Sequence, residues 1–249
     1  MYRLFRFFCR ILVISLLFSV LWAGLYRFIP PPVTLTMITN RVKGYGLDYR
    51  WRSLNRIDPI MADAVIAAED SRFCSHHGFD FTAIEQAAKH NASGGRIRGG
   101  STISQQTAKN VFLWQNGGYL RKFIEAYFTF LIEHLWSKQR IMEVYLNIAE
   151  TGRGLYGVEA ASQFYFHHDA SHLSALEAAR LAAIFPLPKK RRVQTPQGFV
   201  RRYGNIIQGR INLVRKNGLD RCFLPPSVKS SAISGNNRQQ KAPSPQAGI

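Results

Sequence analysis

Glu69 closes an apolar run, Ala64-Val65-Ile66-Ala67-Ala68, and Asp70, Phe73, His76, His77 and Gly78 follow at once. A carboxyl with apolar neighbours loses solvation of its charged form. That raises its pKa and makes it a usable proton acceptor near neutrality. A second acid, Glu125, stands one helical turn after Arg121, with Lys122 between them. The trio reads either as a surface ion-pair set, worth about 0.2–0.5 kcal/mol per pair, or as a carboxylate and two cations beside a cleft.

Between these acids lies Gly99-Gly100-Ser101-Thr102, leading into Gln105, Gln106 and Lys109-Asn110. Two glycines ahead of a helix start let backbone amides approach an anion, and the helix dipole favours its charge. The spacing to Lys109 is not that of a P-loop. A plain glycine-rich turn is the simpler reading of the segment alone. Arg96 and Arg98 just upstream also allow a mobile RNA-binding run.

Two further clusters contain Lys138, Glu143 and Asn147, then Gly157 and Glu159. Each alone reads as helix packing, and Glu143 and Asn147, one turn apart, could tie a helix to a neighbour. His76-His77 and His167-His168-x-x-x-His172 lack metallohydrolase spacing. Hydrogen-bonded structural histidines fit better, and no protein metal site or obligatory cofactor is expected. Loose binding of a divalent cation such as Mg²⁺ or Mn²⁺ between a carboxylate and a phosphorylated ligand is also compatible with these residues.

The elements that must position these residues follow from length and pattern. A chain of 249 residues holds one sizeable domain with accessories. Its net charge of +18 implies an anionic partner: nucleic acid, acidic lipid or a phosphorylated substrate. Residues 189 to 221 hold ten Lys or Arg against one acid, Asp220, which also fits a solvated basic face. Cys9, Cys74 and Cys222 are too few and scattered for a disulfide framework or a four-ligand zinc site.

Ile11 to Tyr26 is uncharged and apolar, with Phe5, Phe7 and Phe8 before it and Phe28-Ile29 after it. The uninterrupted part falls short of the roughly 20 residues that cross hydrocarbon, but Arg10 and Arg27 can snorkel. Arg3, Arg6 and Arg10 place the amino terminus inside. No small-x-small cleavage site follows, so an uncleaved anchor over 1–29 is favoured over a signal peptide. Pro30-Pro31-Pro32 gives a stiff exit into a membrane-proximal linker over 30–56.

From 57 to 220 the pattern is mainly α. Asp58-Pro59 reads as N-cap and first-turn proline of a helix leading to Glu69. Thr82-x-x-Glu85, Thr102-x-x-Gln105 and Ser174-x-x-Glu177 read as capping boxes. Leu120, Phe123, Ile124, Tyr127, Phe128, Leu131, Ile132, Leu135 and Trp136 recur at helical spacing and predict a long helix with a wide buried stripe. Further helices are expected over Lys138 to Ile148, within 156–166 and within 175–184. Thr195-Pro196 opens an amphipathic stretch that Asn217-Gly218 closes. Its arginines could rest on anionic head groups, with packing on the domain the plainer explanation. No strand alternation is evident, and residues 221–249 have the composition of a disordered tail.

In order, the five clusters resemble the signatures of glycosyltransferase family 51, beginning with Glu-Asp-x-x-Phe-x-x-His-x-Gly. Within it they resemble the monofunctional biosynthetic peptidoglycan transglycosylases, over about residues 57 to 188. Lack of room for a transpeptidase domain and the amino-terminal anchor agree with that branch. The resemblance implies a lysozyme-like domain on the periplasmic side of the bacterial inner membrane. There it would polymerise lipid II into glycan strands, inverting the anomeric carbon and releasing undecaprenyl diphosphate. It implies that Glu69 is the catalytic base and that Glu125 assists departure of the leaving group. Ser101, Gln105, Gln106, Lys109, Arg121 and Lys122 would bind the donor. Asp70, Phe73, His76, Gly78, Lys138, Glu143, Asn147, Gly157 and Glu159 would shape the site.

The implied partners are lipid II, the lipid-linked strand, membrane phospholipids and division or elongation proteins, but not nucleic acid. The family usually carries an arginine where this chain has Gly117, so the pattern is one cation short. Ser104, Thr107 and Pro186-Leu187-Pro188 also depart from it. A catalytically weak scaffold and a lysozyme-like glycan hydrolase are the alternatives.

Overall fold

A computed structural model describes residues 1–94 and 99–223. Arg96 and Arg98 lie outside the described residues, as does the expected disordered tail from residue 224 onward.

The chain is mainly helical. Helix α1 (Tyr2–Tyr26) is long and apolar enough to cross a membrane. Its last turns do not stand clear of the domain. Ser19 and Ala23 are buried, Trp22 sets its ring edge-on to Phe112, and Trp136 Nε1 donates to the Ala23 carbonyl at 2.7 Å. Arg140 closes the junction by donating to the carbonyls of Tyr26 and Ile29.

Residues 30–56 are more than the linker the sequence suggested. They form helix α2 (Leu35–Val42), capped by Thr34, and strand β1 (Asp48–Tyr49). Met37 is fully buried and Asn40 nearly so. β1 pairs in parallel with β3 (Leu155–Tyr156), which pairs antiparallel with β2 (Glu150–Gly152). Strands of two or three residues are too short to show alternation, which is why none was legible.

Helix α3 (Pro59–Glu69) starts as expected, with Asp58 accepting from Ile60 N–H and Pro59 in the first turn. Met61, Val65 and Ile66 are fully buried, each stabilising the fold by about 1.5–3 kcal/mol. The next helix, α4 (Phe81–Ala92), is capped by Asp80 rather than Thr82, because the Asp80 carboxylate reaches Ala83 N–H. The boxes at Thr102 and Ser174 form as expected, opening α5 (Ile103–Phe112) and α9 (Ala175–Ile184).

Helix α6 (Gly118–Leu135) is the predicted long helix, but its stripe is buried only in its later half. Leu120 and Phe123 remain about 69% and 74% exposed, whereas Phe128 and Ile132 are buried. Helices α7 (Lys138–Ile148) and α8 (Val158–Phe166) follow. The basic stretch forms α10 (Gly198–Lys216), starting two residues after Pro196. It buries Val200, Ile207, Ile211 and Val214 against α3 and α9. Packing on the domain therefore accounts for this helix.

Cys74 and Cys222 form a disulfide, which the cysteine count did not suggest. Phe223 stacks on Phe73 beside it. Residues Arg221 to Phe223, assigned by composition to the tail, are thus held against the domain.

Candidate active site

Glu69 is the last residue of α3, where Asp70 leaves helical geometry (φ −157°, ψ 77°). Its Oε2 accepts from Gln106 Nε2 at 2.8 Å. Tyr145 Oη donates to Gln106 Oε1 at 3.3 Å, which fixes the amide with its N–H toward the acid. Burial pushes the Glu69 carboxyl up, and the Gln106 bond and the charges of Arg191 and Lys109 only partly offset it. Burial likewise lowers the Lys109 ammonium. Lys109 is within electrostatic reach of Glu125, Arg121, Lys122 and Glu69. Two residues three apart on α5 therefore face the two acids: Gln106 bonds to Glu69, and Lys109 senses both.

Glu125 is almost completely buried on α6. Arg121 Nη1 bonds its Oε2 at 2.6 Å, and Lys122 Nζ bonds its Oε1 at 2.9 Å. This is not an exposed helix pair, since the Glu125 side chain is 4% exposed and that of Arg121 only 14%. Both carboxylate oxygens already have cations. Among the described residues no group of three or more His, Cys, Asp or Glu side chains converges.

The two bonded side chains line separate openings. One is a cavity of about 160 Å³ lined by Gln106, Lys109, Asn110 and Tyr145. The other is a cleft of about 440 Å³ lined by Glu69, Asp70, Arg210 and Leu213. A base that borders one opening, bonded to an amide that borders the other and with cations close by, can move a proton between two bound molecules.

The site-shaping residues form the frame. Asp70 takes His76 Nε2 on both oxygens, at 3.0 and 2.9 Å, and accepts from Ile103 N–H at 3.0 Å. Gly78 N–H donates to His76 Nδ1, so the proton lies on Nε2. Thr102 Oγ1 donates to the Gly78 carbonyl at 2.6 Å. The start of α5 is thus filled by the chain's own Asp70 rather than left open for a ligand anion. Gln105 is buried and closes the same turn through the Thr102 N–H, which places it in the frame rather than the cavity. Ser101 is exposed on the loop just before α5.

Lys138 bonds Glu133 at 2.7 Å and lies over the Phe73 ring at 4.5 Å, while Ser104 donates to the same Glu133. Asn147 donates to and accepts from the Arg52 backbone, both at 2.7 Å, and Glu143 accepts from Leu54 N–H at 2.9 Å. Glu159 holds Arg52 and Ala170 N–H, each at 3.0 Å. Gly157 (φ +81°) passes so close to Asn147 that a Cβ would lie 2.4 Å from its carbonyl oxygen.

Gly117 has a structural reason for departing from arginine. Its φ is +143°, and a Cβ there would stand 2.6 Å from Trp114 Nε1. Sequence reasoning missed Tyr145 and Glu133. Tyr145 sat unremarked inside the Glu143–Asn147 cluster, and Glu133 had no local partner to mark it.

A family model described as Transglycosylase matches residues 37–212. A biosynthetic peptidoglycan transglycosylase of Caulobacter vibrioides is 53% identical over 212 residues, 83% of this chain and 93% of that protein. One of Rhodospirillum centenum is 46% identical over 226 residues, 90% and 98% of the two chains. One of Xanthomonas campestris pv. campestris is 48% identical over 191 residues, 74% and 78%.

Proposed function

Because the chain belongs to the transglycosylase family, we propose that the site polymerises lipid II with Glu69 as its base. The protein is a peptidoglycan glycosyltransferase of cell-wall synthesis. In the proposed step Glu69 takes the proton from the acceptor sugar's 4-hydroxyl. That oxygen forms a bond to the donor's anomeric carbon from the face opposite the leaving group. The bond from that carbon to the diphosphate breaks, its electron pair leaves with undecaprenyl diphosphate, and the anomeric centre inverts.

The leaving group gains negative charge as its bond breaks. Lys109, Arg121 and Lys122 are the cations that stabilise it, Arg121 largely shielded from water and Lys122 half exposed. Glu125 holds Arg121 and Lys122 in place. Donor and acceptor occupy the two openings that Gln106 and Glu69 line. A divalent ion such as Mg²⁺ or Mn²⁺ is not obligatory for the step; one arriving with the diphosphate would be held loosely between it and a carboxylate.

The single observation that carries this reading is that α5 sends Gln106 to Glu69 and sets Lys109 beside it in the wall of the cavity. Incubation with labelled lipid II tests it. Growth of polymer supports it; shortened strands alone would indicate a hydrolase, and no product would indicate a scaffold.

We place the domain on the periplasmic face of a bacterial inner membrane. Arg3, Arg6 and Arg10 in the first turns of α1, ahead of its uncharged run, support that orientation, and so does a disulfide, which persists in oxidising compartments. Tyr119, Leu120 and Phe123 are exposed on α6, the helix that receives the end of α1. They would rest among phospholipids, where the lipid-borne substrate lies. Division or elongation proteins are the natural partners of such an enzyme, and nucleic acid is not one.

A further inference from the structure

Glu150 opens β2, immediately after α7, and lines the cavity that also holds Gln106 and Lys109. Its Oε1 is taken twice, by Asn40 Nδ2 at 3.1 Å and Lys189 Nζ at 3.3 Å. Asn40 is fixed in turn by Tyr156 Oη at 2.6 Å and by Lys189 at 3.0 Å. Among the described residues nothing bonds Oε2. Among the described residues no buried side-chain oxygen lacks a partner, so Oε2 is open to solvent on a residue that lines the cavity. The side chain is only 17% exposed, and burial pushes its carboxyl up.

A half-buried carboxylate with one oxygen anchored and the other open is a built acceptor. The cavity, about 160 Å³, is well below the roughly 300–1,000 Å³ of sites for drug-sized ligands. It has room for one ring. The diphosphate would be repelled by Glu150 and belongs nearer Lys109. A sugar offers what Oε2 lacks, a neutral O–H or N–H donor, and Tyr145 and Phe185 in the same wall suit a ring's apolar face.

We propose that Glu150 is a specificity-determining residue, with Oε2 accepting from a hydroxyl or acetamido N–H of one substrate sugar. This rests on the lipid II reading above. It also gives α2 a purpose, since Asn40 aims the acid.

Glu150→Gln is the decisive variant. It keeps an oxygen for Asn40 and Lys189 but puts a donor where Oε2 was. It should melt close to wild type and raise KM for lipid II roughly tenfold or more, with kcat within about threefold. Lipid II analogues each lacking one hydroxyl or the acetamido N–H then locate the bond. For one analogue, wild type and variant should have equal KM. Unchanged KM in the variant overturns the proposal, and so does an equal penalty on every analogue, which would mark a structural role.

If the wild type does not polymerise lipid II at all, the functional reading fails separately. Binding of the disaccharide diphosphate headgroup to the full-length protein in detergent still decides this point. Weaker binding by Glu150→Gln sustains it, and equal binding sinks it.

Discussion

Gln106 Nε2 stands 2.8 Å from Glu69 Oε2, and the bond favours the ionised form of a carboxyl that burial pushes toward the neutral one. Opposing influences on one acid set the pH dependence. Activity should fall on acidification at a pH above that of an ordinary glutamate. In Gln106→Ala the bond is lost, the Glu69 pKa rises further, and the acid limb of kcat/KM moves to higher pH. A pH–rate profile checks this, and a limb that stays put or moves down excludes Glu69 as the titrating base.

The same acid burdens the fold. Its folded pKa is raised, so the stability contributed by the protonated form is fully present below the unfolded value, about 4.3. It is lost as pH rises through the folded value. Near neutrality the desolvated charge destabilises the protein. Glu69→Gln should therefore melt above wild type at neutral pH, with the difference vanishing by about pH 4. Thermal melts across pH test it; a variant less stable at neutral pH contradicts it.

Glu125 predicts the opposite balance. It is buried and held by two cations, so Arg121→Ala strands half of its charge. The loss should approach the roughly 3–5 kcal/mol of a broken buried pair, reduced because Lys122 still holds Oε1. Denaturant unfolding measures it. A loss below about 1 kcal/mol, the value of an exposed pair, would mean that the site is wetter than described.

The Cys74–Cys222 bond closes a separation of 148 residues and ties down the segment after α10, whose Leu219 lines the Glu69 cleft. Cys222→Ser should lose about 2–5 kcal/mol, toward the upper end for so long a loop. A reductant should lower the wild-type melting temperature and leave the variant unchanged. Equal sensitivity in both would argue against the bond.

Local signals were legible and distant pairings were not. Asp58-Pro59 announced α3 because a cap and a first-turn proline act within a few residues. The apolar spacing of α6 and the boxes at Thr102 and Ser174 were visible for the same reason. Thr82 misled because Asp80, two residues earlier, reaches the helix first. Helix α2 has only eight residues and is stabilised by contacts from far along the chain, such as Asn40 with Tyr156. The filling of the α5 start by Asp70, the Lys138–Glu133–Ser104 set and the disulfide are all tertiary. In the site, motif order found both acids and their cations. It could not show that Gln105 serves the cap while Gln106, its neighbour, serves the acid.

The most direct test measures lipid II polymerisation by wild type and Glu69→Gln, with folding of both verified by thermal melts. Wild type should form polymer, and the variant, equally or more stable at neutral pH, should do so at a rate at least about 10²-fold lower. Polymerisation by Glu69→Gln at the wild-type rate would contradict it.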